Sequence, residues 1–387
     1  MVVSFFSSIE DLGINVYSDR LLEAIDKQHD PDIQIKNVRL QKSFRIKFNL
    51  GKYVYARKLF TSLGKQMNEA DIAHVQHDYM LFCLWTNPLE NMYNVFRRQI
   101  HIPLIITIHE TVVRHVSGGR DMKEKTKFFL KRIYFFILTG YMKYITYGMF
   151  KDPAALIVHT QATKDFLVKG GVDANKIHVI QHAIPDVTAS SNSVEEDKAF
   201  YHVEGKFVLM TYGYVSYRKG QDIVVEELTK LPESVVYIIA GGTGGDPEYV
   251  NNVKKYILDN RLENRVIFTG YVDPADVARV MNAADVVVAP SREVIASGSM
   301  SEAIAYHKMI IAGEGAFVDE INREDHCIDT FTNKDELLEK IKGYMQYPET
   351  MQLFIANTTI YHNKNSYDAA AKKTIALYKQ IFATKTS

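Results

Sequence analysis

The sequence predicts an α/β protein made of two doubly wound domains, each with a parallel sheet covered by helices on both faces. Short runs rich in β-branched residues alternate with helical patterns along most of the chain. A polar segment at 186–197 interrupts this alternation, which then restarts. The length of 387 residues is enough for two or three domains of about 150 residues each.

The elements follow in order along both halves. In the first half we expect helices such as 16–27 between strands at 2–7, 33–40, 72–77, 104–109, 156–160 and 177–181. The segment 186–197 has the composition of a linker, so the predicted domains are 1–186 and 187–365. In the second half we expect strands at 207–212, 235–240, 266–271 and 286–289, helices from 219 and near 247–259, 274–283 and 299–307, and a last helix at about 367–382.

Composition and charge narrow the class of protein. The chain has 46 Lys and Arg against 46 Asp and Glu, a balance that argues against a nucleic-acid coat protein. Its two cysteines cannot build a disulfide framework, and its first residues do not resemble a secretory leader, so we expect a cytoplasmic protein. Aromatic residues with basic flanks at 125–151 suit either a peripheral membrane contact, at the inner face of the plasma membrane, or a helix packed on the core.

Candidate site residues lie directly after the predicted strands. Parallel sheets bind ligands outside the carboxyl ends of their strands, so two facing domains would place a site in the cleft between them. In the first half, Gly13 enters a helix and His109 ends a strand. A plain turn and a structural histidine are the alternative interpretations of these two residues.

The second half has two stronger patterns. Gly213 ends a strand and is followed by Arg218 and Lys219 at the start of a helix, where two cations suit a phosphate or diphosphate. The alternative is a solvated surface pair. The later run Ser297-Gly298-Ser299 allows close backbone approach, and the Glu302 carboxylate could accept hydrogen bonds from ribose; a Ser-capped helix is the alternative.

Other nucleotide motifs are absent from the sequence. The glycine run at 241–245 comes after a strand but does not fit G-x-G-x-x-G, which weakens a dinucleotide site. No G-x-x-x-x-G-K-[ST] or H-E-x-x-H occurs, which excludes a P-loop kinase and a zincin.

Taken together, the motifs resemble those of the retaining glycosyltransferases of family 4, which have the two-domain GT-B architecture. The resemblance extends over most of the chain. It is carried, in order, by residues 12–17, 106–110, 155–160, 171–173, 177–180, 218–220, 265–271, 283–286, 290–291 and 301–305.

The resemblance implies an enzyme that moves a sugar, of the hexosyl type, from a nucleotide-diphosphate sugar to a hydroxyl on a carbohydrate or lipid-linked acceptor, without a metal or other cofactor. It implies that residues 366–387 form a helix that returns to the first, acceptor-binding domain. The roles it implies are diphosphate binding by Lys219 and Arg218, ribose binding by Glu302, backbone contacts to phosphate from Ser297, Gly298 and Ser299, and contacts from Gly13 to the diphosphate and from His109 to the sugar.

Two positions depart from the family pattern. Tyr214 stands where the family usually has an Arg, so Arg218 is the candidate replacement. The paired glutamates of the family are separated by seven residues, whereas Glu293 and Glu302 are separated by eight, which leaves the role of Glu293 in doubt. These departures make a catalytically silent partner subunit an alternative. A nucleotide-sugar epimerase, which would share the donor site, and an NAD-linked oxidoreductase are two further alternatives.

Overall fold

The computed structural model describes residues 1–9, 13–41, 50–78, 81–82, 92–109, 149–243, 246–292 and 298–386. The chain divides into two compact units. Unit 1 contains Met1–Gln181 and Ala370–Ser387, and unit 2 contains His182–Ala369. Each unit has a six-stranded, wholly parallel sheet with flanking helices, so the predicted fold class is confirmed.

Unit 1 has the strand order β2-β1-β3-β4-β5-β6. Most of its strands are buried on both faces; β5 is a continuous apolar run, whereas β3 also buries the polar side chains of His74, Gln76 and His77. The core includes Phe6, Phe82 and Phe96, whose rings lie 4.7–5.7 Å from one another. The described elements are β1 (Val2–Ser8), α1 (Gly13–Lys27), β2 (Gln34–Leu40), α2 (Leu50–Gln66), β3 (Ile72–His77), α3 (Met92–Arg97), β4 (Leu104–Ile108), β5 (Ala155–Val158), α4 (Gln161–Lys169) and β6 (Ile177–Val179).

Unit 2 has the strand order β12-β11-β10-β7-β8-β9. The described elements are α5 (Val194–Phe200), β7 (Phe207–Tyr212), α6 (Gln221–Leu228), β8 (Val235–Ala240), α7 (Pro247–Asp259), β9 (Val266–Gly270), α8 (Val277–Ala283), β10 (Val286–Ala289), α9 (Gly298–Ala305), β11 (Met309–Gly313), α10 (Ala316–Asp325), β12 (Asp329–Phe331), α11 (Lys334–Gln346) and α12 (Met351–Asn365). The last helix, α13 (Tyr367–Thr386), begins in unit 2 and continues into unit 1.

Several elements differ from the sequence prediction. The expected helix from Lys219 is a 3-10 turn over Tyr217–Lys219, and α6 starts only after Gly220. The cause is Gly220 itself, which has φ +73° in the left-handed region and therefore ends the turn. Strands β11 and β12 and the helices α10 to α12 were not expected.

The segment predicted as a linker, 186–197, is a folded part of unit 2. Ser193 caps α5 in a capping box with Glu196. Asp197 is fully buried and accepts hydrogen bonds from Ser190, Asn192 and Asn282, which explains why so many polar residues gather here. The polar residues of segment 186–197 thus form hydrogen bonds within unit 2.

The C-terminal helix is anchored in unit 1 by Tyr378, which is fully buried. Lys379 on the same helix pairs with Asp30 at 2.7 Å. Within the described ranges no helix is long and apolar enough to cross a bilayer. Of the segment 125–151, residues 125–148 lie outside the described residues, and Met149 and Phe150 are buried in the core of unit 1.

Candidate functional site

The carboxyl end of β7 leads into a turn that we call the Lys219 turn, residues 213–220. The ammonium group of Lys219 donates to the Ser299 Oγ at 2.7 Å, so this turn meets the first residues of α9. A pocket at this place is lined by Thr211, Tyr212, Lys219, Val287, Val288, Ala289, Ser291, Ser299, Met300 and Ile310. The predicted Lys219 and Ser299 are therefore direct neighbours, although they are far apart in the sequence.

Gly213 lies beside both residues and has φ +114°, a value that L side chains rarely adopt. An added Cβ would lie 3.6 Å from both the Lys219 Cε and the Ser299 Cβ, which is an ordinary contact distance. On the neighbouring strand end, a Cβ on Gly241 would lie only 2.1 Å from the Gly213 carbonyl oxygen. Glycine is thus required at Gly213 by the backbone conformation and at Gly241 by the close approach of the backbone.

Lys219 is placed in an electrostatically unfavourable position. Burial, together with the neighbouring charge of Arg218, lowers the pKa of Lys219 to about 8. Among the described residues no carboxylate lies within ion-pair distance of its ammonium group. An anion bound here would supply the missing counter-charge, which is the behaviour expected of a phosphate site.

An ion pair holds the Lys219 turn against the loop after β10. The guanidinium of Arg292 donates to both carboxylate oxygens of Asp222, at 2.9 and 2.7 Å, and to the Tyr217 carbonyl oxygen at 2.7 Å. The backbone N–H of Arg292 donates to the Arg218 carbonyl oxygen at 2.9 Å. Tyr249 donates to Asp222 at 2.7 Å and so supports the same carboxylate.

This Asp222–Arg292 pair is electrostatically favourable. Burial acts to raise the pKa of Asp222, but the hydrogen bonds from Arg292 and Tyr249 outweigh it, so the pKa lies below its usual value. The Arg292 guanidinium also lies over the Tyr217 ring, 4.1 Å from its centroid. Sequence reasoning missed these residues because their partners are distant in the chain; the Arg directly after Pro290-Ser291 was the available signal.

Helix α9 carries the remaining candidates of unit 2. Gly298 is its first residue and is exposed, and Glu302 lies one turn further and is half-buried. Ser301 is buried between them, and its Oγ lies 3.4 Å from the His182 Nδ1. Glu293 and Ser297 lie outside the described residues, and the Arg218 side chain is exposed beside Lys219.

In unit 1, His109 comes directly after β4 and lies in a row of hydrogen-bonded polar side chains. Its Nε2 is 2.6 Å from the Gln76 Oε1, and its Nδ1 is 3.3 Å from the His159 Nε2. Gln76 in turn contacts His74, whose Nδ1 is 2.5 Å from the hydroxyl of Tyr378 on α13. The row therefore runs across the sheet from the end of β5 to the C-terminal helix.

The partners of this row determine where its protons lie. Burial lowers the pKa of His159 to about 4, so the ring is neutral near pH 7. Its Nδ1 must donate to the Ile180 carbonyl oxygen at 2.9 Å, which leaves Nε2 to accept from His109. The other nitrogen of His109 lies beside the Gln76 oxygen, so Gln76 and His159 together fix the orientation of the His109 ring.

Gly13 begins α1, and residues 10–12 before it lie outside the described residues. On the same helix Tyr17 is buried, and its ring packs edge-on against His109 at 4.9 Å and against His159 at 5.3 Å. The structure therefore connects α1 to the histidine row through Tyr17, a residue that the sequence analysis included only within a motif.

Comparisons with known proteins place both halves of the chain in glycosyltransferase families. Residues 13–186 match Glycosyltransferase Family 4, and residues 193–360 match glycosyl transferases group 1. The first match falls largely within unit 1, and the second falls within unit 2.

Individual relatives are distant. The alpha-monoglucosyldiacylglycerol synthase of Streptococcus pneumoniae is 23% identical over 259 residues, 63% of this chain and 51% of that protein. A D-inositol 3-phosphate glycosyltransferase of Xylanimonas cellulosilytica is 29% identical over 146 residues, 35% of each chain. This chain thus matches about half of the first relative and about a third of the second.

Among solved structures, the Anabaena protein HepE in complex with UDP-glucose superimposes with a TM-score of 0.72, covering 98% of this chain and 100% of that one. The sequences are 16% identical, so this likeness concerns the fold.

Proposed function

We propose that this chain, which belongs to the GT-B glycosyltransferases of the family 4 type, moves a sugar from a nucleoside diphosphate sugar to a hydroxyl acceptor with retention of anomeric configuration. One observation supports this most directly. At the end of β7, the Lys219 ammonium lacks a carboxylate partner among the described residues and reaches the first turn of α9 through Ser299. A cationic group beside a helix N-terminus suits a diphosphate.

The proposed chemistry uses Lys219 as the counter-charge for the leaving group. The bond between the anomeric carbon and the diphosphate oxygen breaks, the oxygen of the acceptor hydroxyl forms the new bond, and the hydroxyl proton passes to the departing diphosphate. Negative charge develops on the diphosphate, where a cation positioned in advance lowers the barrier. In this proposal no metal ion is needed, Arg218 assists Lys219, Glu302 binds the ribose, and His109 contacts the sugar.

The transfer is tested first by binding. We expect nucleoside diphosphate sugars, beginning with UDP-glucose, to raise the melting temperature of the protein, because a ligand that binds only the folded state stabilises it by about 2.7 kcal/mol at a hundredfold excess over Kd. Incubation of the bound donor with and without candidate acceptors then shows the reaction. The proposal is wrong if no nucleoside diphosphate sugar shifts the melting temperature.

The same experiment separates the alternatives. An epimerase would convert the donor into another nucleotide sugar without an acceptor, which product analysis of donor alone detects. A catalytically silent partner would give no turnover with any donor and acceptor tested.

We also infer that the acceptor is part of a cell-surface polysaccharide or glycolipid, and that the segment 125–151 contacts the cytoplasmic face of the membrane. Its aromatic residues with basic flanks support this inference. The double variant Lys131→Glu/Arg132→Glu should release the protein from anionic vesicles. Unchanged binding of that variant would remove the segment from the membrane contact.

A further inference from the structure

Helix α12 of unit 2 is poor in charge for a helix with an exposed side. Residues 350–363 contain no Asp, Glu, Lys or Arg, although such residues make up 24% of the whole chain. The preceding helix, α11, carries six of them among its 13 residues. The proposed sugar transfer does not account for this difference, since α12 contains none of the candidate donor-site residues.

One side of α12 is fixed in unit 2. Tyr361 is buried in one hydrophobic cluster of that unit, and Phe354 and Ile355 pack against another. Thr358 lies on the same side and is fully buried. These contacts fix the rotation of the helix about its axis, so its opposite side faces the surface.

The opposite side carries exposed apolar residues. Leu353, Ala356 and Ile360 are spaced by three and four residues, so they form one row along the helix. Leu353 is 67% exposed and Ile360 is 45% exposed, and Ala356 is also exposed. We call this row the α12 outer face. A helix that is apolar on both sides is normally covered on both, which indicates a partner for this face.

The spacing of the α12 outer face is self-complementary. Two antiparallel α12 helices can be related by a two-fold axis that passes midway between residues 356 and 357. Leu353 of each copy then faces Ile360 of the other, as a symmetric interface requires. Ala356 lies next to the axis, where its small side chain allows the two helices to approach closely.

The charges at the two ends of α12 fit the same arrangement. Glu349 lies in the turn before the helix, is exposed and forms no ion pair among the described residues. Lys364 lies near the end of the helix, pairs with Asp325 at 2.6 Å, is 3.9 Å from Glu324 and keeps 49% of its side chain exposed. The antiparallel arrangement brings Glu349 of each copy toward Lys364 of the other. It also places the positive N-terminal end of each helix near the negative C-terminal end of the other.

We propose that the α12 outer face binds a second copy of this chain, in an antiparallel pair of α12 helices. The apolar row is flanked by exposed Gln352, Thr359 and Asn363, which matches the apolar core and polar rim of a protein–protein interface. The lack of basic residues at 350–363 does not suit a nucleic acid or an anionic bilayer, because both attract positive charge. This dimer does not depend on sugar transfer, so its test is separate from that of the proposed function.

The test compares charged substitutions in the full chain by sedimentation equilibrium. We expect the unmodified protein to form a dimer and Leu353→Glu to weaken it at least about 100-fold, because each dimer loses two buried leucines. The matched control, Leu258→Glu, changes a leucine that is 60% exposed on α7 and should dimerise as the unmodified protein does. Glu349→Lys should weaken the dimer severalfold, since it places a second cation beside Lys364 of the other copy.

A cysteine substitution tests the register of the pair. Ala356→Cys should form a disulfide between two copies under oxidising conditions, because this position lies beside the two-fold axis. Lys254→Cys, at an exposed position of α7, should not. The melting temperature of each variant checks that the fold persists.

The proposal is overturned if the unmodified protein stays monomeric up to about 100 µM. It is also overturned if Leu353→Glu dimerises as well as Leu258→Glu, or if Ala356→Cys cross-links no better than Lys254→Cys. A monomer that sediments with uncharged phosphatidylcholine vesicles, or that binds a different protein through Leu353, would equally contradict it.

Discussion

The candidate site residues at the strand ends of the two units differ in charge: unit 2 holds a buried cation, whereas unit 1 holds buried neutral histidines. In unit 2, the Lys219 turn holds a cation whose charge is destabilised by burial and is ready for an anion. In unit 1, burial lowers the pKa of His74 to about 3 and that of His159 to about 4, so these rings are neutral members of a hydrogen-bonded row. The comparison suggests that unit 2 stabilises charge while unit 1 orients hydrogen bonds, and four experiments test this division.

The largest expected effect belongs to Lys219. We predict that Lys219→Ala lowers kcat about 10²–10³-fold, since removing one preorganised group that stabilises developing charge typically costs that much. The melting temperature without ligand should stay the same or rise, because a buried, unpaired charge is removed. Lys254→Ala serves as the control, and near-normal turnover by Lys219→Ala would remove this residue from the mechanism.

A second prediction concerns the pair that holds the Lys219 turn. Asp222→Ala and Arg292→Ala should each raise the KM for the donor about tenfold, with a smaller change in kcat, because they displace the turn without removing its charge. The double variant should be no worse than the worse single variant, which gives a coupling free energy of about 1.4 kcal/mol. Additive effects would show that the two residues act independently.

A third prediction concerns pH. Since the pKa of Lys219 is lowered to about 8, UDP should bind equally well below that pH and lose affinity about tenfold per unit above it, as the ammonium deprotonates. Lys219→Arg should bind UDP without this decline, because the guanidinium remains charged. Titration calorimetry across this range measures both proteins; identical pH profiles would contradict the assignment.

The smallest effect is expected in unit 1. Gln76→Glu would place a carboxylate 2.6 Å from His109 and should strengthen this hydrogen bond, which NMR detects as a downfield shift of the His109 ring N–H. Tyr378→Phe removes a partner of buried His74 and should reduce the free energy of unfolding by about 1 kcal/mol, with little change in the His109 ring signals. A Gln76→Glu variant whose His109 ring signals stay unchanged would argue against the row.

The sequence predicted the sheets of this protein better than its turns. Strands β3, β7, β8 and β10 were predicted with the bounds that the structure shows. Of these, β8 and β10 are unbroken apolar runs, as expected of strands in a buried parallel sheet. Strand β12 has only three residues, too few for a recognisable pattern, and its neighbour β11 was missed together with it. The left-handed conformation of Gly220 was also missed, and with it the true start of α6.

For the candidate sites, the sequence indicated which residues to consider but not which side chains they contact. Lys219 and Ser299 were each proposed from a position shortly after a strand, and their 2.7 Å contact came from the structure. The roles of Lys219, Ser299, Gly13, Gly213, Gly298, Arg218, Glu302 and His109 stay predictions, as do those of Glu293 and Ser297, which lie outside the described residues. Asp222, Arg292, Gln76 and His159 were missed because long-range hydrogen bonds leave no periodic signal.

The backbone at Gly213 and Gly241 sets a limit for protein engineering. A library that varies these two positions would lose most members to misfolding, since Gly213 has φ +114° and even a methyl group at Gly241 meets backbone at 2.1 Å. Tyr214 and Tyr271 come shortly after the ends of β7 and β9 and are 66% and 69% exposed. Substitutions at these two exposed tyrosines should therefore leave the scaffold intact.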